Sequence, residues 1–485
     1  MTAAVPASVG ARLKWRLFRA LERLSDLRGN NAAGHFAVTP PASDLRDPRD
    51  PRGAAQPAPA LWVFVSTIGE LHAIDPFLRQ LATQLGALQL VLITDHPHYR
   101  ESYQARYPAA AVCVTRGHGH DAVALARRYP PQALVVAEIP CLPFDAPCRF
   151  SYGFVLEAKR RRAPAWLVNG WLYHYRPDCT MDRVERALFL RDYLRAFDVL
   201  CVQTEAARRE LVALGAPAQR VAVAGNIKFD SMQRSAWHVA EARSPRLLAA
   251  LLAARRPTVV AGCVTSAHEQ QLVLDAFAAL RRRHPTALLV LAPRHPEVTG
   301  RMQALRELLA EAQLHARFRS TSPDAALADD VACLVLDTMG DLRDFYAAAT
   351  LAHVGVDHNV LEPLGFAKPV TVTTGWEPTY PSYPVYRLLA DAGALFEATD
   401  PARLAAHWAE AVERQGADAE CADADRTDGQ GATPALAALE AARGSVGRHF
   451  AAIQGGLTAL IGQLRAPDAP GRERPPAAAA EAGSR

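Results

Sequence analysis

The strongest constraint on the fold is a rhythm of short apolar runs separated by stretches of helical length. The runs are LWVFVST (61–67), LQLVLIT (88–94), AVCVT (111–115), ALVVAE (133–138), AWLVNG (165–170), VLCVQT (199–204) and VAVAGN (221–226). Between them, Glu70 to Leu85 and similar segments carry apolar residues at helical periodicity. Strands apolar along their whole length cannot keep one face in water. They predict a parallel sheet covered by helices on both faces. After a polar segment near 232–256 the rhythm restarts with PTVVAGCVT (257–265), an amphipathic helix over 266–285, ALLVLAP (287–293), ACLVLDT (332–338), TLAHVGV (350–356) and PVTVTT (369–374). The chain therefore reads as α/β, with two Rossmann-like domains over 60–245 and 246–414. Around them the sequence predicts a basic amphipathic helix (1–36), a linker rich in Pro, Ala and Asp (37–59), a flexible acidic insertion (415–433), C-terminal helices (434–465) and a disordered tail (466–485).

A length of 485 residues fits two or three domains, and half of the residues are hydrophobic, enough for large cores. Lys plus Arg is 54 against 50 for Asp plus Glu, a net charge of +4, which does not suit a nucleic-acid binder. The eight cysteines form no C-x-x-C pair and stand at no zinc spacing with histidine, so neither a disulfide framework nor a metal site is expected, and a reducing cytoplasm fits. No apolar run approaches the roughly 20 residues that span a bilayer, and no secretory h-region opens the chain. Within residues 11–29, Leu13, Trp15, Leu17, Phe18, Leu21 and Leu24 recur at helical spacing among Arg and Lys. Such a helix lies either on an anionic membrane surface or against its own domain.

In parallel sheets ligands bind beyond the carboxyl ends of the strands, so the polar residues there are the candidates. Glu70 follows Ser66-Thr67-Ile68-Gly69 and reads as a general base or as a helix-start carboxylate. Arg294, in Pro293-Arg294-His295-Pro296-Glu297, stands where a phosphate contact is useful, or is an ordinary loop arginine. Asp337-Thr338-Met339-Gly340-Asp341-Leu342 runs into a helix start that suits an anion or a plain cap. Val356-Asp357-His358-Asn359-Val360-Leu361-Glu362-Pro363 places four consecutive residues suited to ligand contacts after a strand, with Glu362 able to accept from two ribose hydroxyls. Glu138 ends ALVVAE, and Asn226 and Lys228 sit in GNIKFD before the domain junction; each is also explicable as structural.

Taken together these segments resemble the 3-deoxy-D-manno-octulosonic acid (Kdo) transferases of lipopolysaccharide synthesis. STIGE (66–70), VQTEAARRELVALGAP (202–217), GNIKFD (225–230), PRHPE (293–297), DTMGDL (337–342), HNVLEP (358–363) and FAKPV (366–370) occur in the family's order over roughly residues 60–400. The resemblance implies a GT-B glycosyltransferase, an acceptor domain followed by a donor domain across an interdomain cleft. It implies inverting transfer of Kdo from CMP-Kdo to a lipid A precursor at the cytoplasmic face of the inner membrane, without a nucleotide-bound metal or other cofactor. By that resemblance Glu70 matches the catalytic base, Arg294 the arginine near the CMP phosphate, Met339 and Gly340 the turn that helps hold CMP, and Asn359 and Glu362 the phosphate and ribose side. His295, His358, Glu138 and Lys228 complete the expected substrate-binding set.

The chain also departs from the family. ETELWPN appears as Glu138-Ile139-Pro140-Cys141-Leu142-Pro143, NARLS as Asn169-Gly170-Trp171-Leu172-Tyr173, GSTHPGEE as GCVTSAHEQQ (262–271), and the Pro of HNPLEP is Val360. The glycine pair usual before HN is shortened to Gly355-Val356-Asp357. A basic segment replaces the apolar N-terminal anchor. Several changes fall in the acceptor domain, so another acceptor, another nucleotide sugar, or a non-catalytic CMP-sugar-binding relative also fits these residues.

Overall fold

The computed structural model describes residues 36–41, 57–115, 119–138, 148–171, 180–232, 238–322, 324–338, 340–378, 380, 382–421 and 434–465, with Leu13, Arg16, Leu17 and Ala20 of the N-terminal segment. Those four positions are helical and exposed. The described residues fall into two compact units: those within Met1–Gly170, Pro177–Ala224 and Gly447–Arg485, and those within Trp171–Arg176 and Gly225–Val446.

The first unit is built on an eight-stranded sheet. Its strands are β1 (Ala37–Thr39), β2 (Ala60–Phe64), β3 (Gln89–Thr94), β4 (Ala111–Val114), β5 (Pro131–Ala137), β6 (Ala165–Gly170), β7 (Val199–Val202) and β8 (Val221–Val223). They lie in the order β1-β4-β3-β2-β5-β6-β7-β8, and only β1 runs antiparallel to its neighbour. The predicted strands from LWVFVST to VAVAGN are thus all present. β2 is buried at every position, as a central parallel strand covered on both faces must be. Trp62 and Phe64 on β2 pack against Phe154 of helix Cys148–Arg160, and the Trp62 indole satisfies its N–H on the Tyr129 carbonyl at 2.9 Å.

The second unit carries seven parallel strands: β9 (Thr258–Val264), β10 (Leu288–Pro293), β11 (Ala316–Phe318), β12 (Cys333–Val335), β13 (Leu351–Val354), β14 (Val370–Thr373) and β15 (Phe396–Ala398). Their order is β11-β12-β10-β9-β13-β14-β15. Two helices, Ala267–Arg283 and Pro401–Cys421, cover one face around Phe277 and Trp408, while Phe345 and Tyr346 anchor the other.

Three features correct the sequence reading. Ala37–Thr39, expected inside a linker, pairs with β4 and forms the sheet edge. The helix expected to end before an acidic insertion runs on to Cys421; residues 422–433 and the tail from 466 lie outside the described residues. The units divide at Ala224 and Gly225 instead of near residue 245, because Phe229 of GNIKFD packs with Val360, Leu361 and Leu364 of the second unit. The C-terminal helix Ser445–Arg465 returns to the first unit from Gly447 onward. Short segments stay beside each crossing: Asp230 accepts from the Gly444 and Val446 amides at 2.7 and 2.5 Å in one unit, and Arg448 donates to the Ala224 carbonyl at 2.9 Å in the other. Among the described residues no helix is long and apolar enough to cross a membrane.

Packing against β9 leaves no room for a side chain at Gly262, where a Cβ would stand 2.1 Å from the Tyr346 hydroxyl. Gly262→Ala is expected to cost about 1–3 kcal/mol in urea denaturation, and Tyr346→Phe in the same chain to recover part of that loss. Simple additivity of the two changes would contradict this packing.

Candidate active site

Each sheet has a point where its chain reverses direction of growth, between β2 and β5 in the first unit and between β9 and β13 in the second. Loops at the carboxyl ends of such strands part from each other and leave a crevice that suits a ligand. The candidate residues divide between these two places.

In the first unit Thr67 caps helix Ile68–Gln84, its hydroxyl accepting from the Glu70 amide at 3.2 Å. The Glu70 carboxylate reaches back and accepts from the Ser66 amide at 2.8 Å, a capping box displaced by one residue that aims a carboxylate at the strand end. Glu70 is only 4% exposed. Burial pushes its pKa up to about 8, the Glu138 charge adds to the rise, the Ser66 amide opposes it, and Asp95 adds again. Ser66 is itself held: its hydroxyl bonds the Asp95 carboxylate, His96 Nδ1 stands 3.2 Å away, and its carbonyl accepts from Thr94 Oγ1 at 2.7 Å. The Asp95 carboxylate in turn raises the His96 pKa.

Glu138 follows β5 in the left-handed region, φ +56°, and Asn169 near the end of β6 does the same at φ +54°. Both are buried, and a glutamate seldom pays that backbone cost without a reason in its surroundings. Asn169 Nδ2 donates to Glu138 Oε1 at 2.9 Å, and Gln203 Nε2 donates to the Asn169 carbonyl at 3.0 Å. The ends of β5, β6 and β7 are thereby tied into one buried polar network beside Glu70.

In the second unit the same capping device recurs. Ser266 caps helix Ala267–Arg283, and Glu269 reaches back to the Thr265 amide at 3.0 Å. Here the carboxylate is saturated: its other oxygen accepts from the Val356 amide at 2.9 Å and from Thr373 Oγ1 at 3.1 Å. Glu269 therefore clamps the loops after β9, β13 and β14. Gly355 permits this approach, since a Cβ there would lie 2.2 Å from the Cys263 carbonyl.

His358 stands 3.3 Å from Thr265 Oγ1, and burial, then the Arg294 and His295 charges, lower its pKa to about 3, so the ring is neutral. Asn359 accepts from the Leu361 amide at 3.1 Å and donates to Glu362 Oε1 at 3.2 Å. Burial raises the Glu362 pKa, while Arg343 and the Asn359 bond pull it down. Beside these residues is a cavity of about 400 Å³ whose lining includes Thr265, Ser266, Arg294, Asp357, Thr373 and Thr374. Hydroxyls, the Arg294 guanidinium and the Asp357 and Glu269 carboxylates make this lining polar and suited to a hydroxyl-rich ligand.

The remaining candidates are placed less centrally. Gly340 takes φ +89° against the Arg243 guanidinium, and Met339 lies outside the described residues. His295 sits at φ +57° with its ring exposed and Nδ1 2.9 Å from Glu297. Lys228 belongs to the second unit, its amide bonded to Asn226 Oδ1 at 3.0 Å, beside Phe229, which joins the core cluster of the helix bearing Glu362. Glu269, Asn169 and Asp95 were not among the sequence candidates. For Glu269 the signal was present: Thr265-Ser266-x-x-Glu269 repeats Ser66-Thr67-x-x-Glu70 after the first strand of each Rossmann-like set.

The profile of the family described as 3-deoxy-D-manno-octulosonic-acid transferase (kdotransferase) matches residues 42–231. A 3-deoxy-D-manno-octulosonic acid transferase from Haemophilus influenzae is 24% identical over 353 residues, 71% of this chain and 77% of that protein. The one from Bordetella pertussis is 28% identical over 407 residues, 79% of this chain and 85% of that protein. In three dimensions the chain is similar to a Listeria monocytogenes protein described as a UDP-N-acetylglucosamine 2-epimerase, with a TM-score of 0.53, 14% identity, and coverage of 82% of this chain and 97% of that one. The fold is GT-B.

The two matching glutamates should respond differently to substitution. Glu269→Ala strands two amides and a hydroxyl and is expected to cost about 2–4 kcal/mol in urea denaturation. Glu70→Gln keeps an acceptor for Ser66 and removes a charge that its surroundings disfavour, so it should cost less than about 1 kcal/mol. Equal losses would contradict the contrast between a Glu269 carboxylate that clamps three loops and a Glu70 carboxylate whose charge its surroundings disfavour.

Proposed function

Because this chain is a divergent member of the Kdo transferase family and a glycosyltransferase, we propose that it transfers Kdo from CMP-Kdo to a lipid A-type acceptor in lipopolysaccharide synthesis, with inversion at the anomeric carbon. The observation that carries the reading is the buried Glu70 carboxyl, raised in pKa beside Glu138 at the reversal point of the first sheet. A carboxylate of raised basicity, partly shielded from water, suits a general base. In the proposed step Glu70 takes the proton of the acceptor hydroxyl, that oxygen bonds to the anomeric carbon, and the bond to the CMP phosphate breaks with its electron pair leaving on phosphate.

The donor is assigned to the second unit. Arg294 neutralises the leaving phosphate, with His295, Met339, Gly340 and Lys228 in supporting contact. Neutral His358 donates or accepts a single hydrogen bond, and Asn359 orients Glu362 toward the ribose hydroxyls. Glu138 holds up the basicity of Glu70 and contacts the acceptor. The reading needs no metal. Residues 11–29 are assigned to the anionic cytoplasmic face of the inner membrane through their basic and apolar residues.

Glu70→Ala should reduce CMP release from CMP-Kdo and a lipid A precursor by about a thousandfold or more while sparing CMP binding in calorimetry. Turnover that survives this change would refute the assignment of the base. The base must be deprotonated, so kcat/KM should rise with pH through about 8, and Glu138→Gln should move that rise to lower pH; a flat profile would count against both roles. Co-sedimentation with anionic vesicles should be lost when residues 1–36 are deleted, and its retention would place membrane contact elsewhere.

A further inference from the structure

The helix Ser445–Arg465 closes the described chain, and nothing in its sequence marks it as part of a site. Its second turn carries His449, which is wholly buried. A hydrophobic residue would fill such a position more cheaply than an imidazole, so the partner of its polar atoms matters. That partner is the Asn169 backbone: the Asn169 amide donates to His449 Nε2 at 3.0 Å. Nε2 is therefore the lone-pair nitrogen of a neutral ring.

Asn169 is the residue held in the left-handed region, and its side chain donates to Glu138. The bond from His449 thus fixes the peptide from which the Glu138 carboxylate is oriented. The other flank of the imidazole meets Phe77, with ring centroids 6.0 Å apart, and Phe450 next to it meets Phe77 at 4.8 Å. Phe77 lies two turns beyond Glu70 on helix Ile68–Gln84, on the same face. One side chain from the C-terminal helix, 280 residues beyond Asn169 in the chain, therefore touches the helix that carries Glu70 and the β6 residue that bonds Glu138.

We propose that His449 is a positioning residue for the Glu70–Glu138 pair, acting through the Asn169 backbone and the Phe77 face of the Glu70 helix. This rests on the reading of that pair as the chemical centre. The ionisable groups that face Glu70 are Glu138 from the end of β5, Asp95 with His96 from the loop after β3, and Tyr103 from helix Arg100–Arg106. None of them is altered by a change at His449, which makes the titration of Glu70 a clean reporter of its geometry.

The test compares His449→Leu with His449→Gln in the full chain. Leu fills the volume without an acceptor, whereas the Gln amide oxygen reaches the place of Nε2. Carboxyl NMR of carbon-13-labelled glutamate, with the Glu70 resonance identified by its loss in Glu70→Gln, should show the Glu70 midpoint moved by about half a pH unit or more in the Leu variant and restored by Gln. With CMP-Kdo and a lipid A precursor, kcat should fall about tenfold in the Leu variant with KM for the donor within about twofold, and Gln should recover most of the loss. If Leu does not fold, His449→Asn, polar but too short to reach the amide, replaces it with the same expectation. An unmoved Glu70 midpoint, or Leu and Gln variants alike in midpoint and kcat, overturns the proposal whatever the activity. Turnover surviving Glu70→Ala would instead remove the functional reading and leave the positional claim to the titration.

Discussion

Everything in this molecule that bears on chemistry depends on how parallel strands end. A buried parallel strand spends its backbone bonds on its neighbours, and its last residues must find other partners. In both units the first strand of the Rossmann-like set hands this task to a helix-capping carboxylate, Glu70 after β2 and Glu269 after β9. Each takes the amide of the residue that leaves the strand. The direction of the loop, and so the shape of the crevice beside it, follows from that one bond.

What each carboxylate meets next sets its character. Glu269 finds the Val356 amide and the Thr373 hydroxyl and becomes a fully bonded strut. Glu70 is buried with a second carboxylate, Glu138, and the field of Asp95 around it, so desolvation first and these charges next disfavour its charged form and raise its proton affinity. Identical local sequence chemistry thus yields a fully bonded carboxylate in one unit and one of raised proton affinity in the other. The left-handed backbones of Glu138 and Asn169 have the same logic: strain is tolerated because several bonds converge on it.

Much of this was legible in the sequence. The predicted strands formed within a few residues, because runs such as ALWVF and LLVLAP have no polar face to show to water. Glu70 with Glu138, Arg294 with His358, and Asn359 with Glu362 were reachable because each lies just after a strand. Other features left no local trace. Ala37–Thr39 is a three-residue edge strand whose partner is far along the chain, β11 and β15 are equally short, and the boundary at Ala224 depends on where Phe229 packs. His449 has no pattern around it, since its role arises from a contact that only the folded chain makes. The repeat of the capping box could have been found by comparing the two halves with each other.

The return of the chain to its first unit at Gly447 has a consequence for biosynthesis. Residues 225–446 form a unit from one nearly unbroken stretch and have all their own partners once that stretch has emerged from the ribosome. The first unit does not: β6 and the helix bearing Glu70 wait for His449 and Phe450, which arrive more than two hundred residues later. The unit translated first is thus completed last. A chain that ends before residue 447 holds every strand of both sheets but lacks the imidazole that accepts from the Asn169 amide.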